Sequence, residues 1–208
     1  MPMPMSRRHL LLAALCGIAS GSAQAQPVQR SVEEQAFPPR AQVAGAELLL
    51  NGTGVRQVAW FKGYAAGLYL RQRVHTADQA LAQSGPKRLQ LRILYEVPAV
   101  EFVKALKKGI ERNTAPAEMA LLSHGVQRFA DEITALELVR KGDVIDLDLD
   151  PERGLLFTLN GTLRGKALGD VALYAALLRA FIGERPYDER LKAGLLARPA
   201  RRASAATT

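Results

Sequence analysis

The residues best suited to chemistry in this chain lie in one stretch, Asn51–Leu70, NGTGVRQVAWFKGYAAGLYL. Arg56 heads a run that carries Trp60, Phe61, Lys62, Tyr64 and Tyr69. A guanidinium keeps its proton at any ordinary pH and can fork onto a carboxylate through two parallel N–H bonds. Tyr64 can donate a phenolic hydrogen bond to the same anion. Trp60 or Phe61, with Leu68, Leu91 and Ile93, can wall an apolar cavity, and Lys62 and Tyr69 complete the candidate set. The chemistry is capture of an acidic head group at the mouth of an apolar pocket. The same residues also describe a solvent-facing arginine at a strand end beside structural tyrosines, and residue types alone leave both readings open.

Other constellations offer less. Asp146, Asp148 and Asp150 alternate with Leu147 and Leu149, so on a strand the three acids share one face. Three like charges on one face read as a solvated surface. They also lack the glycine and distal glutamate of a calcium loop. Beyond the N-terminal segment, His75 and His124 have no His, Asp or Glu at metal-ligand spacing on a helix face, so no metal site is expected. Ser123 and His124 are helix neighbours and point in different directions, which removes a Ser-His pair. Gly52-Thr53-Gly54 has no Gly-Lys-Ser/Thr sequence and precedes a strand, unlike a phosphate loop.

The elements that must position Arg56 and Tyr64 follow from periodicity. Glu47–Leu50 is strand-like, and Asn51–Gly54 reads as a turn. Val55–Phe61 and Tyr64–Arg71 read as two strands joined at Lys62-Gly63. A short helix capped by Thr76 follows, then a strand over Lys87–Tyr95 with Leu89, Leu91 and Ile93 on one face and Arg88, Gln90 and Arg92 on the other. Two helices occupy the middle, from Pro98 to Ile110 and from Ala117 to Ile133. From Val144 the period becomes two, and Asn160-Gly161 marks a tight hairpin. Helices from Gly169 to Gly183 and over Asp188–Leu196 end the pattern. Strands, helices, a strand meander and helices, without βαβ alternation, predict an α+β fold: an open-faced antiparallel sheet with helices on one face.

The chain has 208 residues and a formal net charge of +8. Basic residues show no contiguous stripe interleaved with aromatics outside the tail, which argues against nucleic-acid binding. Arg7 and Arg8, an apolar run from Leu10 to Ile18 and Ala23-Gln24-Ala25 form an export signal with cleavage expected before Gln26. The apolar run is too short for a permanent membrane span. Ser6–Leu11 also fits a twin-arginine signal, so the Sec and twin-arginine routes both stand, and a periplasmic or secreted protein is expected. The only cysteine, Cys16, falls in this segment, so the mature chain has no disulfide. The expected organisation is a signal peptide over 1–25, an extended leader over 26–42, one domain over 43–197 and a disordered tail over 198–208. The oligomeric state is left open.

Three segments carry a resemblance: Leu50–Arg56 (LNGTGVR), Phe61–Leu70 (FKGYAAGLYL), and Phe181–Glu184 running into Leu191–Leu196. They resemble the chalcone isomerase-like family, in its bacterial exported branch, over roughly residues 42–196. The resemblance implies an antiparallel sheet under a helix layer, with a cleft between them. In the isomerases an arginine stabilises an oxyanion as a phenolate adds to an enone, and Arg56 matches it. Their other polar groups fall here at Tyr64, near Phe102 and Gly109, and at Asp188 or Glu189, most of which cannot do that work. The fatty-acid-binding branch holds a carboxylate with an Arg and a Tyr, and Arg56 with Tyr64 fits that pair. Haem-binding relatives imply haem as another ligand. The expectation is therefore a non-catalytic binder of an apolar ligand with an acidic head, a fatty acid or haem propionate, with an Arg56-dependent intramolecular lyase as the alternative.

Overall fold

The computed structural model describes residues 30–58 and 61–197. Trp60, the export signal with its cleavage site, and the tail from Arg198 lie outside the described residues. The described chain runs β1 (Arg30–Val32), β2 (Gln35–Phe37), β3 (Arg40–Val43), β4 (Ala46–Val58), β5 (Phe61–Leu70), α1 (Ala77–Ala82) and β6 (Lys87–Ile93). It continues through β7 (Val97–Pro98), α2 (Ala99–Arg112), α3 (Pro116–Thr134), β8 (Leu138–Val139), β9 (Val144–Asp150), β10 (Gly154–Leu159), β11 (Thr162–Arg164), α4 (Val171–Ile182) and α5 (Glu189–Leu195).

Seven strands form one sheet in the order β11-β10-β9-β6-β5-β4-β3, every neighbour antiparallel. The sheet curls until β3 touches β9. Helices α2 to α5 cover one face, where Leu68, Leu89, Leu91, Ile145 and Leu147 meet Leu106, Phe129, Leu177 and Phe181. The opposite face holds a smaller apolar cluster of Phe37, Val43, Leu48, Leu50, Ala65 and Tyr69. This is the expected α+β architecture.

Several local features follow the sequence signals. Asn160 and Gly161 both have positive φ (52° and 79°) between β10 and β11, as a type I′ turn requires. Thr76 accepts from the Gln79 N–H, and Asp170 and Asp188 cap α4 and α5 in the same way.

Four expectations are corrected. From Arg30 onward the supposed leader is folded: β1 and β2 make a hairpin and β3 is an edge strand of the main sheet. Asn51–Gly54 is the interior of the 13-residue strand β4 instead of a turn. The reversal after it lies between Val58 and Phe61, which pair, and not at Lys62-Gly63. The three aspartates of β9 are buried, at 6–9% exposure. Their face lies inside the curl of the sheet; in-register partners on β6 satisfy Asp146 and Asp148, and Asp150 accepts the Glu152 and Arg153 N–H groups of the turn that follows. Arg88 grips Asp148 through Nε and Nη2 at 2.7 and 2.6 Å, and Gln90 donates to Asp146 at 2.8 Å.

The glycines of β4 exist for α5. A Cβ at position 52 would lie 2.1 Å from the Gly194 carbonyl oxygen, and one at 54 would lie 2.9 Å from that of Leu191. In return, a Cβ at Gly194 would lie 2.3 Å from the Thr53 carbonyl oxygen. Helix and strand thus approach backbone to backbone, which side chains on either would forbid.

Candidate functional site

Strand β4 changes face part-way along. Leu50 pairs with Tyr69, but the next pair is Gly52 with Leu68, leaving Asn51 as an extra residue. Before this bulge Leu48 and Leu50 point to the Phe37 side; after it Gly52, Gly54 and Arg56 point to the helices. In an unbroken strand the period of two would put Arg56 on the same side as Leu50. The bulge therefore re-aims the arginine. Asn51, fully buried, stabilises it by donating to the Leu195 carbonyl at 2.7 Å and accepting the Val74 N–H at 2.7 Å.

Arg56 and Tyr64 are direct cross-strand partners, so their side chains stand together under the helices. With Phe102, Ala105, Leu106, Phe181 and Tyr187 they line a cavity of about 40 Å³ between sheet and helices. The Tyr64 ring lies 6.5 Å from Phe102 and 6.4 Å from Phe181. Burial raises the Tyr64 pKa far above its ordinary value, against the opposing pull of Arg56, so the phenol stays protonated and available as a donor. Arg56 donates to the backbone carbonyl of Tyr187 and lies over its ring, 5.4 Å from the centroid. Among the described residues no carboxylate forms an ion pair with Arg56.

The other expected members go elsewhere. A second register shift, between Arg56 and Gln57, leaves Gly63 without a partner on β4 and turns Lys62 away from Tyr64. Lys62 is exposed and pairs with Glu33 at the β1–β2 turn. Tyr69 has odd parity on β5 and packs on the opposite face with Phe37 and Leu50. Burial, partly offset by Arg92, pushes its pKa up to about 12. Neither His75 nor His124 lines the cavity, so the described residues put no imidazole there for a haem iron.

Tyr187 was missed from the sequence. Its hydroxyl donates to the Leu106 carbonyl at 2.9 Å, and its ring lies where a Cβ at Gly109 would come within 2.3 Å. The signal was Gly109 itself, a glycine on the buried face of an otherwise regular helix, which marks a close neighbour.

The site sets a guanidinium and a phenol beside the apolar side chains of Phe102, Leu106 and Phe181. No curated protein matches this chain. Among 38 matching chains of known structure is a fatty-acid-binding protein of Arabidopsis thaliana, with a TM-score of 0.59 and 18% identity, covering 81% of this chain and 95% of the other. That likeness is one of fold. The family described as chalcone isomerase-like matches residues 29–197, and with that coverage the chain belongs to the chalcone isomerase-like family.

Proposed function

We propose that this protein is a non-catalytic carrier of an apolar ligand with an acidic head group, a long-chain fatty acid being the best fit. One observation carries the reading: a cross-strand Arg56–Tyr64 pair, aimed by the Asn51 bulge into an apolar cavity, with no acidic partner for the arginine among the described residues. A carboxylate there would take the guanidinium fork and the Tyr64 hydroxyl together. The structural neighbour described as fatty-acid binding supports the same ligand class. The basic and apolar N-terminal pattern with Ala23-Gln24-Ala25 supports an exported carrier acting in the periplasm. A mature chain beginning at Gln26 is the expected result of N-terminal sequencing.

Titration calorimetry with palmitate on the purified mature chain tests the site. Arg56→Ala should lose on the order of 2–5 kcal/mol of binding, as expected when one partner of a desolvated charge pair is removed. Tyr64→Phe should lose about 1.5–3 kcal/mol, the worth of a hydrogen bond to a charged group. Palmitate affinity unchanged in Arg56→Ala would reject the assignment.

A further inference from the structure

The Arg56 cavity is too small for the ligand its chemistry suits. Its 40 Å³ is little more than the roughly 30 Å³ of one water, whereas ligand pockets usually offer about 300–1,000 Å³. What fills the space is Tyr187. Its backbone carbonyl takes the Arg56 N–H bond that a carboxylate oxygen would take, and its ring lies beside the guanidinium, against the Gly109 backbone.

We propose that Tyr187 is the specificity-determining residue of this site, an internal stand-in for the ligand that must lift with residues 183–188 before a long-chain carboxylate can bind. The inference rests on the carrier reading above and adds how admission is controlled.

The strap is held by a small set of polar contacts. Asn113 holds it twice, donating to the Arg185 carbonyl at 2.7 Å and accepting the Arg185 N–H at 2.9 Å. Tyr187 adds bonds from its N–H to the Ala180 carbonyl at 3.0 Å and from its hydroxyl to Leu106. These bonds are replaceable by water, whereas the edge-to-face contact of Tyr187 with Phe181, ring centroids 5.0 Å apart, is apolar and holds the strap closed until an apolar ligand replaces it. Gly183, Glu184 and Arg185, with Asn113, line a second, open groove of about 790 Å³ that shares no lining residue with the Arg56 cavity. The strap thus lines both the open groove, through Gly183–Arg185, and the Arg56 cavity, through Tyr187. Lifting it would open the Arg56 cavity towards that groove, where Ala77, Leu81, Ala115, Pro116 and Leu196 supply the apolar lining for an acyl chain. It also favours a flexible linear tail over a bulky fused-ring ligand, because the vacated slot has the width of one phenol.

Stopped-flow binding of cis-parinaric acid, a naturally fluorescent long-chain fatty acid, to the full mature chain reads the gate directly. The expected result is an observed rate that saturates with probe concentration at the strap-opening rate. Asn113→Ala removes both strap bonds and should raise that plateau about 10-fold. Gly109→Ala, which crowds the Tyr187 ring from the helix side, should raise it as well and serves if Asn113→Ala folds poorly. Arg56→Ala should speed release of the probe, whereas the strap variants should not. A rate that climbs linearly with probe, alike in wild type and both strap variants, overturns the gate while Arg56-dependent affinity keeps the carrier reading. Probe binding that is absent, or indifferent to Arg56 in every variant, overturns the carrier reading and the gate together.

Discussion

At the scale of single residues, the buried acids of β9 show how pairing decides the worth of a charge. Asp148 is held by the Arg88 fork, and Arg88 also lies 3.6 Å from Asp146. Burial lifts the Asp148 pKa above its ordinary value of 3.8, Arg88 opposes the rise, and Asp146 adds to it. A carboxyl with a raised folded-state pKa takes up its proton first in the folded chain as pH falls. Its contribution to stability is complete below 3.8 and is lost as pH rises through the folded value. Arg88→Ala removes the one opposing influence. It should cost about 3–5 kcal/mol at neutral pH, the penalty for a buried carboxylate left unpaired. The loss should shrink as denaturation is repeated in increasingly acid buffer. A pH-independent loss would mean that Asp148 stays solvated without its partner. Strict alternation placed the three aspartates on one face correctly. The solvated reading failed because the curl of the sheet, which encloses that face, leaves no mark in the local pattern.

At the scale of elements, the pairing of β4 with α5 is the feature that most shapes the site. Gly194→Ala would drive a methyl into the Thr53 carbonyl, a clash that only movement of backbone can relieve. It should destabilise by about 1–3 kcal/mol in chemical denaturation, and any movement of α5 should carry over through the Leu195 carbonyl to the Asn51 bulge that aims Arg56 and weaken palmitate binding. The strands of β6, β9 and β10, the Asn160-Gly161 hairpin and the helices were legible because each rests on local periodicity or a cap. Asn51–Gly54 was misread because glycine has two uses, turning a chain and admitting a close neighbour, and only the distant α5 distinguishes them. Arg56 and Tyr64 were legible as a pair by residue type. Tyr69 was separable, since its parity along β5 is opposite to that of Tyr64; Lys62 was not, because parity breaks at Gly63 and the bulge that breaks it is set by pairing with β4.

At the scale of the whole molecule, the sheet has two covered faces and each is closed by a terminal segment. Helices close one face. On the other, Phe37 from the β1–β2 hairpin is fully buried against Gly67, where a Cβ would lie 2.6 Å from its ring, and Arg92 lies over the same ring at 5.2 Å. Phe37→Ala should cost about 3–5 kcal/mol, a core-sized loss from a segment that looked like a leader. A loss below 1 kcal/mol by the same assay, roughly a surface substitution, would show that the hairpin does not close that face. No helix among the described residues is long and apolar enough to cross a membrane.

The tie between Asn51 and Leu195 spans 144 residues, and that between Arg56 and Tyr187 spans 131. During synthesis the chain emerges from its N-terminus, and contacts so distant in sequence form last. The bulge that aims Arg56 can take its Val74 bond early but lacks its Leu195 bond until α5 has emerged. A chain cut before Tyr187 would leave Arg56 without the carbonyl it donates to and Asn51 without its Leu195 bond, so the geometry of β4 depends on residues far downstream of it.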